Sequence, residues 1–132
     1  MKYLLMMHVP KGQADYEHTQ WKPEEWSAHL DYWHRLNSEL VASGEMVGVE
    51  ALTAPRQARL VRVGPDGVTA VTDGPFPESK EFLAGYWVVD VDRPERAYEI
   101  AAIASAAPGP GGTPLVIPIE VRQVMRSPLA DM

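Results

Sequence analysis

The chain contains no cysteine. That excludes disulfides, thiolate nucleophiles and Cys-ligated zinc or iron–sulfur sites, and it fits a reducing compartment, so the expected location is cytoplasmic. Basic residues are few: 12 Lys+Arg stand against 18 Asp+Glu, a formal charge of -6. Non-specific nucleic-acid binding needs a basic surface, so no nucleic-acid partner is expected. No apolar run is long enough to span a bilayer, and no membrane partner is expected. The apolar opening, residues 1–8, is too short for a leader and lacks a small-residue cleavage site. No Gly-x-Ser-x-Gly elbow and no glycine loop followed by Gly-Lys-Ser/Thr occurs, which speaks against a serine hydrolase and a phosphate cradle. Nothing resembles a nucleotide or flavin fingerprint, and no cofactor is expected.

The 132 residues suit one domain, expected over 1–126, with a frayed tail at 127–132. Residues 2–9 read as a strand whose near-continuous apolar character suits burial on both faces. A polar loop follows at 13–22. Residues 23–43 read as a helix. Pro23 suits its first position, Glu24 and Glu25 suit the positive end of its dipole, and Gly44 suits the cap beyond its end. Trp26, Leu30, Trp33 and Leu40 supply its apolar stripe. A strand is expected over 45–52 and a hairpin over 59–63 and 68–72, turning at Gly64-Pro65-Asp66-Gly67. The strongest strand signal covers 82–91. Asp92-Arg93-Pro94-Glu95 has capping-box spacing before a second helix with Ala97, Ile100, Ala101 and Ala104 on one face. Pro108-Gly109-Pro110-Gly111-Gly112 stops that helix, and a last strand is expected over 115–125.

The order β-α-β-hairpin-β-α-β specifies an α+β fold, the ferredoxin-like split βαβ plan with a hairpin insertion. Two helices would cover one face of an antiparallel sheet. The other face is apolar in several strands, and a second copy stacked sheet to sheet is its simplest cover, so a homodimer is expected.

Between the hairpin and the strongest strand lies Asp73-Gly74-Pro75-Phe76-Pro77-Glu78-Ser79-Lys80-Glu81. This nonapeptide, followed by Phe82-Leu83-Ala84-Gly85-Tyr86, resembles the signature of the DGPF branch of the YCII-related family. Residues 2–6, 89–92 and 119–122 are similar to it as well. The departures are Pro77 for the usual Ala, Ser79 for Thr, and Gln123 where Pro is common. The resemblance implies a ferredoxin-like protomer in a dimeric α+β barrel, with a small-molecule ligand. It also implies a site in which an Asp, sometimes with a His, has been proposed as catalytic. In the YCII branch that Asp lies on the first helix, not in this turn. Some relatives look like small lyases or dehalogenating enzymes; others are neighbours of extracytoplasmic-function sigma factors.

Asp73 is the first candidate, as general acid or base; its other reading is a structural Asx-turn. Its partner would be His29 or His8. His29 borders the tryptophan stripe, and its other reading is a half-buried histidine bonded to backbone. Lys80 or Arg122 would hold an anionic group, and Ser79, Phe76 and Trp33 would complete substrate binding. His29 and His34 are five residues apart, about 140° around a helix, and no pair among His8, His18, His29 and His34 has metal-ligand spacing, so no metal is expected. Three functions follow. One is a cofactor-free lyase, dehalogenase or isomerase; the second is a non-catalytic small-molecule-binding or accessory protein, with a link to sigma-factor signalling as its expected setting; the third is a purely structural interaction module.

Overall fold

The computed structural model describes residues 1–10, 21–74, 76 and 79–126. Most of the polar stretch at 13–22, together with His18, Pro75, Pro77, Glu78 and the tail at 127–132, lies outside them.

β1 (Lys2–Pro10) alternates along its length: Tyr3, Leu5 and Met7 are buried, while Leu4, Met6 and His8 are partly open. The strand is therefore covered on one face, and the expectation of two covered faces is corrected. An antiparallel strand can leave one face bare where a parallel one cannot. β1 is central. It pairs antiparallel with β5 (Glu81–Asp90) on one side and β6 (Ile119–Gln123) on the other, and β2 (Met46–Ala51) closes the far side of β5. The order β2-β5-β1-β6 is that of the ferredoxin-like plan. β3 (Arg59–Val63) and β4 (Thr69–Asp73) form a separate two-stranded ribbon, inserted between β2 and β5.

Helix α1 covers Pro23–Ser43, with Pro23 at its first position and Gly44 closing it at φ 80°. That left-handed conformation suits a residue without Cβ. The Glu25 carboxylate accepts the Lys22 backbone N–H at 2.9 Å, capping the first turn. The buried side of α1 runs through His29, Leu36 and Leu40, not through Leu30, which is 46% exposed. Helix α2 spans Pro94–Ser105 and buries Ala97, Ile100, Ala101 and Ala104. Arg93 is its cap residue and offers no side-chain bond, so the expected Asp92 box does not form.

The main core joins Tyr3, Leu5, Trp87 and Val89 of the sheet to Leu36, Leu40 and Ile100 of the helices. A smaller cluster of Met7, Phe82 and Ala84 continues it toward the end of β1. The last strand is shorter than 115–125. The Leu115 and Ile117 N–H groups bond back to Ala107 and Ser105, Val116 takes φ 54°, and Pro114 and Pro118 have no N–H to give a ladder.

Candidate functional site

The residues singled out from the sequence fall in four places. Asp73 ends β4, opposite Arg59 across the ribbon. Its side chain is 93% exposed and lies 3.6 Å from the Arg59 guanidinium. No histidine approaches it within the described chain. Phe76 and Lys80 are exposed, and the Ser79 N–H closes a turn onto the Phe76 carbonyl at 3.1 Å.

His8 lies on the uncovered sheet face, with its Nε2 2.9 Å from the Glu120 carboxylate. Arg122, exposed on β6, stands opposite Leu4, whereas Lys80 adjoins Glu81, which pairs with Pro10. Six strand residues, roughly 20 Å, separate those levels, so the two candidate anion holders do not converge in one chain.

His29 is only 4% exposed. Its Nδ1–H donates to the Pro108 carbonyl at 2.9 Å. Burial lowers its pKa below the ordinary imidazole value, and the bond to Pro108 opposes that shift in part. Its ring contacts Trp21, Trp26 and Trp33 edge-on, with centroids 5.1, 5.6 and 4.2 Å away. Around it α1 grips the last turn of α2 and the chain beyond it. Tyr32 Oη donates to the Ile103 carbonyl at 2.7 Å, Trp33 Nε1 to Ala104 at 3.3 Å, and the Gly111 N–H to Glu25 at 2.6 Å. The turn at 108–112 is thus an anchor for α1, and His29 is part of that anchor. The backbone-bonded reading of His29 is the one its contacts support.

The fourth place is a crevice between α1 and the β2–β5 side of the sheet, about 170 Å³ in volume. Met7, Trp33, Val49 and Trp87 give it apolar walls. Gly85 belongs to its floor: a Cβ there would meet the Glu50 carbonyl at 2.9 Å. Leu30 and His34, both exposed on α1, form its outer lip. Asn37, one turn beyond His34 on the same side of α1, reaches the sheet. Its Oδ1 accepts from Trp87 Nε1 at 2.8 Å. Indole is a donor only, so this bond fixes the amide's orientation and leaves the two N–H donors of Nδ2 without a partner among the described residues. Of the residues expected to bind substrate, Trp33 alone lines this crevice. His34 and Asn37 were missed. Their signal was present as a polar i,i+3 pair beside the tryptophan stripe, but only packing shows that the pair borders a crevice.

A wider depression runs past Met1, Lys2, Asp90 and Gln123. Two of its charges are paired with each other: the Met1 ammonium bonds Asp90 at 3.0 Å, and it also bonds the Val91 carbonyl at 2.9 Å. Among the described residues no group of three His, Asp or Glu side chains is placed to hold a metal ion. No helix of the described chain is long and apolar enough to cross a membrane.

A family model for the YCII-related domain matches residues 1–109. The chain belongs to that family. No curated protein matches it.

Proposed function

We propose that the protein binds a compact organic molecule, one carrying a carbonyl or carboxylate on a ring-sized apolar body, in the crevice between α1 and the sheet. The observation that carries this is the joining of two tryptophan walls to the free Nδ2 donors of Asn37. An apolar cavity of about 150 Å³ takes a benzene-sized molecule, which sets the scale of the ligand. The apolar body would lie between Trp33, Val49 and Met7, and its oxygen would accept from Asn37. The uncovered sheet face, with Leu4, Met6, Leu83, Tyr86 and Val88 partly open, supports a homodimer stacked through that face. The resemblance of the nonapeptide to the DGPF signature supports a place in that branch of the family, and a cytoplasmic protein accords with the absence of cysteine.

A second reading, cofactor-free acid–base catalysis of the lyase or isomerase type, is favoured by His34, an imidazole at the lip within reach of an occupant. Both readings are tested together. A panel of ring-sized carboxylic acids is expected to raise the melting temperature of the intact protein, since a ligand held by the native state stabilises it. Leu30→Trp, which fills the lip from an exposed position, should abolish that shift while leaving the unliganded melting temperature unchanged. A shift that survives Leu30→Trp would remove the crevice as the site. Ligand consumption followed by NMR, lost in His34→Gln while the thermal shift persists, would select the catalytic reading. A shift without consumption would select the binder.

A further inference from the structure

The β3–β4 ribbon is poorly supported by its own chain. All its strand residues except Leu60 are exposed, and Val61, Val63 and Val71 are 64, 66 and 61% exposed. Cross-strand pairing puts Arg59 with Asp73, Val61 with Val71 and Val63 with Thr69 on one face. Leu60 lies on the other, near Gly74 at the ribbon's base. A two-stranded ribbon alone is marginal in water, and an exposed valine face marks a contact surface.

The two edges differ. β3 carries Arg59 and Arg62, long charged side chains of the kind that keep strand edges from pairing. β4 reads Thr69-Ala70-Val71-Thr72-Asp73: four uncharged residues, then a single carboxylate. The Gly64 N–H bonds the Val68 carbonyl and the Gly74 N–H bonds the Ala58 carbonyl, one at each end of the ladder. By antiparallel alternation, the backbone groups of Thr69, Val71 and Asp73 then point away from β3, into the open edge.

We infer that β4 pairs antiparallel with β4 of a second copy across a two-fold axis at Val71, turning two ribbons into one four-stranded sheet. The charges suit a second copy in this orientation and disfavour the parallel one. Antiparallel pairing sets each Asp73 beside Thr69 of the other copy, with its own Arg59 on its other side. Parallel pairing would set the two carboxylates side by side. The valines join into one row across the sheet, from Val61 through both Val71 residues to the second Val61, with the arginine-bearing β3 strands outermost. This contact is independent of the crevice. It is also separate from the stacked sheet face: on a shared axis the two contacts build one dimer, and on two axes that intersect at right angles they build a closed tetramer.

The lack of native cysteine makes the test clean. Directly opposed residues at a two-fold lie about 5.5 Å apart between Cα atoms, within disulfide range. The two Val61 residues would be three strand spacings apart, roughly 14 Å, beyond that range. Under mild oxidation at low micromolar protein, full-length V71C should convert mostly to a covalent dimer, while the equally exposed V61C stays a single chain. The double variant T69C/D73C gives a second reading, because each cysteine faces the other kind across the axis and should join two chains by two bonds. V71C crosslinking no faster than V61C, or V61C crosslinking in preference, would overturn the pairing. If V71C does not fold, a T69C/D73C chain that remains uncrosslinked overturns it equally.

Discussion

His29 and Asp73 are both ionisable, and each has one close polar partner, yet they stand at opposite extremes of solvent access: 4% against 93% exposed. The difference shows where a charge is able to matter. Around His29 the chain has largely closed, and protonating the ring would place a charge where little water reaches it. Around Asp73 water screens the carboxylate, and the arginine 3.6 Å away adds little. The same contrast separates the helix-covered core from the ribbon. One region holds the molecule together, and the other is left over for contact with something else.

The largest expected effect comes from breaking the closed side. Ile100 is fully buried among residues of the helix-covered core. Ile100→Ala should cost about 2–5 kcal/mol in denaturant unfolding, through lost transfer energy and the cavity left behind. Val68, 62% exposed at the ribbon turn, is the counterpart. Val68→Ala should stay within about 0.5 kcal/mol of the parent. Comparable losses at the two positions would mean that the ribbon is packed in solution and that the contrast is misdrawn.

The closed side was only partly legible in the sequence. Element order and the bounds of α1 were readable because helix ends carry short-range chemistry: Pro23 begins this one and Gly44 ends it. The orientation of α1 was not. An apolar pattern selects Leu30, but the helix turns His29 inward, where a carbonyl 79 residues away accepts a hydrogen bond from its ring. No local pattern encodes that partner. For the same reason the turn at 108–112 read as a mere helix stop, although it anchors α1 through Glu25 and His29. The crevice depends on the same rotation, which brings Asn37 and His34 over β2 and β5. The nonapeptide led to the family, but its specificity carried no information about depth.

A smaller effect sharpens the comparison through pH. Burial depresses the pKa of His29 in the folded state below the ordinary 6.5 of the free ring. Below pH 6.5 the unfolded chain takes up a proton that the folded chain resists, so the unfolded state binds more protons and stability rises with pH. The His29 contribution is complete above the unfolded value and is lost as pH falls from there through the folded one. The slope cannot exceed about 1.4 kcal/mol per pH unit for one proton. Glu25 and Glu45 are also shifted down, but from 4.5, so their window lies lower. His29→Asn keeps a donor for Pro108 and removes the titration. Its stability between pH 7 and 5 should be flatter than the parent's, as urea midpoints would show. An unchanged slope would mean that the ring is hydrated in solution.

The smallest effect is expected at the residue the sequence marked most strongly. Asp73→Asn keeps the shape of the side chain and removes its charge. With the carboxylate in water and its one cation more than half exposed, the change in unfolding free energy should lie within about 0.5 kcal/mol. Ligand binding in the crevice should be unaffected, because Asp73 does not line it. In the paired ribbon, each substituted side chain would still lie beside Thr69 of the other copy, and self-pairing should persist. A different result would be informative by its kind. A loss of about a kilocalorie or more would show that the carboxylate holds its own turn after all. Loss of turnover at unchanged stability would return Asp73 to chemistry, and since no histidine of its own chain approaches it among the described residues, the partner would have to come from a second copy.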